Sequence, residues 1–181
     1  RFFVPYAFKE SSHGDLHMMN AIYHTWRSDF FDRVRRRNYL VILLCMAVLT
    51  LVFFPGSEAE YVTIIIGGYR GIYNSTWLGA TLAILNGLFL PLISFYLVKN
   101  AVERDRDHGL GDLIAATPVT KFNYLTGKWL SNLTLLLGVM VLMSVTTMFV
   151  QLYYGESYSL NPLELFLPQF IYVFPFIAAI S

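Results

Sequence analysis

Four stretches of the chain carry no charged side chain: 38–57, 71–98, 129–155 and 165–181. A helix needs about 20 largely apolar residues to cross a hydrocarbon core of ~30 Å. The runs predict spans at 39–54, 76–98 and 129–153, with a fourth from about 167 to 181. A soluble bundle would need amphipathic helices to cover a core of this size. The pattern therefore predicts an all-α fold, a polytopic membrane helix bundle.

Upstream of the first run the pattern changes to an amphipathic one. Met19, Ile22, Tyr23, Trp26, Phe30 and Val34 recur at helical spacing. Asn20, His24, Arg27, Ser28, Asp32 and Arg35 occupy the other face. An amphipathic helix over 19–37 with an aromatic stripe and a basic flank belongs at a membrane interface. There Trp26 and Phe30 anchor it in the apolar boundary. Arg33, Arg35, Arg36 and Arg37 reach lipid phosphates while their stems stay in the apolar layer. The competing expectation is a cytoplasmic helix packed against a partner. Residues 1–17 show no clear period and are read as a tail of doubtful structure. His13, His17 and His24 would share a face of a continuous helix and suit a metal. Gly14 weakens helix there, no cysteine accompanies them, and solvated histidines are the expectation.

Between the second and third spans the connector 99–128 holds most of the remaining charge. Lys99 to Asp107 reads as a charged helical extension of the second span. Gly109 and Gly111 follow as flexible points. Asp112 to Thr117 makes a short helix with a carboxylate at its N-terminus, favourable for the dipole. Pro118 stops it, and Thr120 is a plausible N-cap for a helix from Lys121 that leads into the third span.

Composition narrows the class. Of 181 residues, 56% are hydrophobic and only 14% charged, against roughly 25% charged in an ordinary soluble domain. Mean hydropathy is +0.52. These figures exclude a disordered chain, a basic nucleic-acid-binding domain and a disulfide scaffold. The single cysteine, Cys45, has no internal partner and reads as a small buried hydrophobe. Of 13 Lys and Arg residues, Arg70 alone falls in the loop after the first span; the other 12 lie on one side of the predicted topology. The positive-inside rule places that side, and the N-terminus, in the cytoplasm. The chain has no Met at position 1 and stops inside an apolar run, so it reads as a fragment.

The loop over 58–75 is β-prone at Tyr61 to Ile66 and then rich in glycine. It is too short to span and reads as an interfacial or re-entrant segment. Asn74-Ser75-Thr76 matches a glycosylation sequon. A membrane-enzyme reading with a site in this loop has only Glu58, Glu60 and Arg70 to draw on. Within the spans, Asn86 and Asn132 are expensive in lipid unless they face protein or water. They either line a pathway or hold helices together by hydrogen bonds. Pro91 can kink the second span, and Gly87 permits close helix approach.

The stretch Val102-Glu103-Arg104-Asp105-Arg106-Asp107-His108-Gly109-Leu110-Gly111-Asp112-Leu113-Ile114-Ala115-Ala116-Thr117-Pro118-Val119 resembles the signature connector of ATP-binding-cassette (ABC) transporter permeases of the exporter type 2 family. In that family a charged Glu-Arg segment is followed by Gly, then by a short Leu-rich helix ending in Ala-Thr-Pro. A Gly-Lys pair opens the next span, matched by Gly127 and Lys128. The helix over 19–37 resembles the family's elbow helix. The departure is length: members have six spans per subunit, so the chain corresponds to the N-terminal half.

The resemblance implies two permease subunits around a pathway, as a homo- or heterodimer, with two ATPase subunits below. Residues 109–118 would be the coupling helix that docks on the ATPase. Leu113 and Ile114 would anchor it within Gly109, Gly111, Asp112, Ala115, Ala116, Thr117 and Pro118. Glu103, Arg104, Asp105 and Arg106 would frame it with charge. ATP and Mg would belong to the partner, since this chain has no phosphate-binding Gly-x4-Gly-Lys-Ser/Thr loop. His108 is expected to be solvated or to contact the partner rather than act in catalysis. The implied role is an exporter permease, without enzymatic activity, in the plasma (inner) membrane of a bacterium. The alternative is a non-transporting membrane anchor or assembly protein whose connector recruits a cytosolic partner. The few polar residues in the spans suit a lipid-like or amphipathic substrate.

Overall fold

The computed structural model describes residues 7–56, 59, 61–107, 121–156 and 159–181, with backbone alone at 7–17, 66, 70 and 100–107. Six α-helices, a two-rung β-ladder and one π-helical turn make up these residues. Helix α1 is Ala7–Val34 and α2 is Arg37–Phe53. Strands β1 (Ile65–Ile66) and β2 (Tyr69–Arg70) pair antiparallel, Ile65 with Arg70 and Ile66 with Tyr69. Then come α3, Ser75–Asp107, and α4, Lys121–Tyr154. The last segment is α5 (Pro162–Pro168), a π-turn (Gln169–Val173) and α6 (Phe174–Ile180).

Most of each charge-free run lies in a helix. The charged extension of the second span is real: α3 runs unbroken for 33 residues through Pro91 and Lys99 to Asp107. The helix from Lys121 is likewise continuous with the third span, 34 residues in all. Among the described residues three segments are long and apolar enough to cross a membrane: Ser75–Lys99, Lys121–Tyr154 and Pro162–Ile180. Helix α2 makes a fourth only together with the 18–34 part of α1, from which it is bent by 68°. On its own, its 17 residues reach about 25 Å.

Two boundaries move. Helix α1 starts at Ala7, so helix extends back through the region read as a tail, Gly14 included. The fourth apolar segment starts at Pro162 rather than near 167, because Asn161 caps it: its side chain accepts from the Leu163 amide at 3.2 Å. Pro162 is preset for a first helical turn, and Glu164 there suits the dipole. In the loop, the tight hairpin turns on Gly67 and Gly68, both at positive φ (63° and 86°), where side chains are strained. Asn74 of the sequon caps α3, accepting the Trp77 amide at 2.8 Å.

The helices alternate in direction. Tyr39 Oη donates to the Leu135 carbonyl at 2.9 Å near the start of α2. At its other end, Gly56 lies against the Tyr154 ring. So α2 and α4 run the same way. Ser75 meets Gln151 and Asn132 meets Ser94, so α3 runs against α4. Thr76 meets Glu164 and Ser94 meets Ile180, so the last segment runs against α3. One end of the bundle therefore collects Arg33, Arg35, Arg36, Arg37, Lys99, Lys121 and Lys128. The opposite end carries the hairpin.

Polarity is inside out. Asn86, Ser131, Ser144, Thr147 and Gln169 are fully buried between helices. Leu44, Ile84, Leu88, Leu92, Phe95, Phe149 and Leu152 are each more than 60% exposed. In water each of these apolar side chains would forgo roughly 1.5–3 kcal/mol of burial. Against hydrocarbon they cost nothing, while inside the bundle Asn86 bonds Gln169 and the Ser144 and Thr147 hydroxyls donate to carbonyls of their own helix. The arrangement fits a multi-pass membrane protein. Cys45 belongs to this outward set; it is exposed on α2, not buried as its apolar neighbours suggested.

Candidate functional site: a buried charge cluster at the basic end

Helix α1 packs across the start of α4. The close approach is possible because position 127 is glycine: a Cβ there would stand 2.8 Å from Thr25 Cβ and 3.2 Å from the Ile22 carbonyl. One residue on, Lys128 reaches Asp29 of α1, Nζ to Oδ1 2.9 Å. Arg33, one turn beyond Asp29, closes on the same carboxylate from the other side, Nη2 to Oδ2 2.6 Å. The Gly127-Lys128 pair thus serves the α1–α4 junction with both residues: one admits the helix, the other ties it.

The cluster is buried. The Arg33 and Asp29 side chains are 7% and 5% exposed, while Lys128, at 17%, keeps a route to solvent. Burial alone would raise the Asp29 carboxyl pKa. Arg33 and Lys128, with the Ser131 hydroxyl, outweigh that and hold it below its ordinary value. The carboxylate is therefore charged at neutral pH, held between the Arg33 and Lys128 side chains.

From Arg33 the contacts run through the bundle. Arg33 Nη1 donates to Asn132 Oδ1 on α4 at 3.4 Å. Asn132 Nδ2 donates to Ser94 Oγ on α3 at 3.2 Å. Ser94 Oγ donates to the Ile180 carbonyl of α6 at 3.1 Å. Trp129 Nε1 adds a donation to the Ala178 carbonyl at 2.9 Å. One chain of contacts thus links α1, α4, α3 and α6 at the basic end.

The interface residues expected on α1 divide. Trp26 is half-buried, stacked on Phe30, with Nε1 donating to Thr134 Oγ1 at 3.1 Å. Phe30 packs against the core. Arg35, Arg36 and Arg37 point outward, and the Arg27 and Arg35 guanidinium groups each lie 5.9 Å from the Phe31 ring. Arg33 does not point outward with them; Asp29 and Asn132 draw it into the bundle. Helix α1 finds its packing partner within its own chain, in α4.

Asn86 also meets another helix. Its Nδ2 donates to Gln169 Oε1 at 2.8 Å, and Gln169 Nε2 donates to the Gly79 carbonyl at 3.2 Å. Both asparagines thus bond between helices, the second of the two roles expected for them. Gly79, not Gly87, is the point of close approach: a Cβ there would stand 2.7 Å from the Glu164 carbonyl oxygen, whereas Gly87 faces open space.

Two residues of these networks escaped the sequence reading, Asp29 and Gln169; Lys128 was singled out there only as part of the Gly127-Lys128 pair. Asp29 offered a signal, an acid one turn before Arg33 and between the stripe residues Trp26 and Phe30. Gln169 offered another, as the one amide in the last apolar run.

Gly109, Gly111, Asp112, Leu113, Ile114, Ala115, Ala116, Thr117 and Pro118 lie outside the described residues, as do Glu58, Glu60 and His108. Glu103, Arg104, Asp105 and Arg106 sit on the last turns of α3 by their backbone. The side chains of His13 and His17 are outside the described set. Among the described residues no group of three or more His, Cys, Asp or Glu side chains could hold a metal ion. No family model matches the chain, and neither does any curated protein or solved structure.

Proposed function

We propose that this chain is the N-terminal half of the membrane-spanning permease subunit of an ABC exporter. A separate ATPase docks on the connector 103–118 and supplies ATP hydrolysis with its own Mg. The N-terminus and the basic end face the cytoplasm of a bacterial cell, with the chain in the plasma membrane. A second permease subunit completes the pathway.

The observation that carries the reading is the continuity of helix on both sides of the connector. Helix α3 extends from the bundle to Asp107, and α4 starts at Lys121 and enters the bundle without a break. A segment joined to two such helices delivers displacement directly into two membrane-crossing elements. The charge cluster adds α1, because Lys128 lies two turns into α4 and holds Asp29. A push on the connector would therefore move α3, α4 and the elbow together, as a rocking transition requires.

The test is capture of an ATPase. Tagged full-length protein, purified from its native membrane, should bring down a nucleotide-hydrolysing subunit. Leu113→Asp should abolish that capture while leaving the protein in the membrane. Retained capture together with retained transport in Leu113→Asp would overturn the coupling role. Stable capture of a cytosolic protein without ATPase activity would favour the anchor reading instead.

A further inference from the structure

The hairpin end carries a surface that no transport role requires. From Tyr61 to Tyr73 the only charged residue is Arg70. Large apolar side chains stand outward along this segment: Tyr61, Val62, Ile65, Tyr69 and Ile72, with Tyr69 80% and Ile72 60% exposed. In an aqueous loop this is an uncompensated apolar patch.

Two contacts fix its level. Tyr61 Oη donates to the Val52 carbonyl at 3.0 Å and Thr63 Oγ1 to the Phe53 carbonyl at 2.6 Å. Both carbonyls belong to the last turn of α2, where helical partners run out. The hairpin is thereby pinned beside the end of an apolar helix. The Phe54 and Tyr73 rings meet edge to face behind it, centroids 6.3 Å apart. Around the same end the outward surface continues as Leu152, Tyr153, Tyr154 and Leu163. Tyrosines ringing the ends of apolar helices mark a membrane–water interface.

We propose that the 61–73 hairpin lies in the headgroup–acyl boundary of the bilayer at the end opposite the basic one, with lipid covering its outward side chains. The patch is continuous with the lipid-facing rows of α2 and α4, which decides for lipid over a protein partner. Its depth is bounded by its backbone. The ladder has two strands and two rungs among the described residues, so the outer edge of each strand needs donors and acceptors from water or headgroups. The hairpin enters the boundary and stops short of the hydrocarbon centre. The inference holds for any multi-pass protein with this end, whether or not the chain couples to an ATPase.

Site-directed spin labelling tests it on the full chain in phosphatidylcholine–phosphatidylglycerol vesicles. Cys45→Ser removes the native thiol, after which Tyr69→Cys, Ile65→Cys and Ile72→Cys each carry one nitroxide. Leu88→Cys, outward on mid α3, is the deep reference. The expected result is a several-fold lower collision rate with a water-soluble nickel complex than for a free aqueous nitroxide, and a shallower depth than at Leu88. Three positions guard against one variant that fails to fold. Collision rates equal to the aqueous nitroxide at all three would overturn the proposal. So would spin–spin broadening relieved by unlabelled protein, which would assign the patch to a second copy.

Discussion

Asp29→Asn is the most informative single substitution. The change is nearly isosteric, yet it removes the one anion shared by Arg33 at 2.6 Å and Lys128 at 2.9 Å. Arg33 and Lys128 then lose the carboxylate that lies between them at the buried α1–α4 junction. Removing one partner of a buried pair typically costs about 3–5 kcal/mol, much of it from the uncompensated charge. Against a typical total of ~5–15 kcal/mol, such a loss undermines the fold. Arg33→Met should cost less, about 1–2 kcal/mol. Lys128 still pairs with Asp29, and the bond lost to Asn132 is long, at 3.4 Å. The double variant Asp29→Asn/Arg33→Met decides the matter. Its one remaining cation, Lys128, is 17% exposed and can carry its charge to water. The double variant should therefore be more stable than Asp29→Asn alone. Thermal inactivation half-lives of detergent-purified protein, read by monodispersity on size exclusion, give the rank order. Asp29→Asn matching the unsubstituted protein, or losses in the double that simply add, would refute the reasoning.

Gly127→Val should destabilise the protein by about 1–3 kcal/mol, because a Cβ at 127 meets Thr25 and the Ile22 carbonyl; Gly87→Ala, facing open space, is the control in the same melting assay. Gln169→Leu should cost about 1–3 kcal/mol by stranding the Asn86 amide and removing the extra bond to the Gly79 carbonyl, and adding Asn86→Leu should recover part of the loss. Acid should loosen the α1–α4 junction: the folded Asp29 pKa is depressed, so its stabilisation is complete above the unfolded value of about 3.9 and is lost as pH falls through the folded one. The acid-induced loss should be shallower in Asp29→Asn, as measured by Trp fluorescence from pH 7 down.

The legible part of the sequence was its spacing. Charge-free runs located the helices, and the mixed charges of Lys99 to Asp107 announced that the second span outlasts the apolar run. What spacing could not convey was pairing. Arg33 stands in a run of arginines and reads as one more surface cation. Its inward turn depends on Asn132, 99 positions away, and on Lys128, which fixes Asp29 from α4 at a similar remove. Cys45 was misjudged for a related reason: in a chain whose apolar residues face both core and lipid, hydrophobic neighbours do not specify which side a residue takes. The start at Pro162 was obscured by Glu164, a charge that looked like loop until Thr76 and Asn161 were seen to hold it.

The π-turn at Gln169–Val173 sets an angular phase. Such a turn accommodates one residue more than the α-helix around it. Each α-helical residue advances the face by about 100°, so the turn fixes which way all of α6 looks. At its first residue, Gln169 meets Asn86; beyond it, Ile177 is fully buried, and the Ala178 and Ile180 carbonyls meet Trp129 and Ser94. Both sets of contacts hold at once only with that residue in place. Removing it would leave the segment as apolar and as helical as before, yet would turn α6 away from its partners. In this last segment the count of residues, more than their chemistry, keeps the basic end closed.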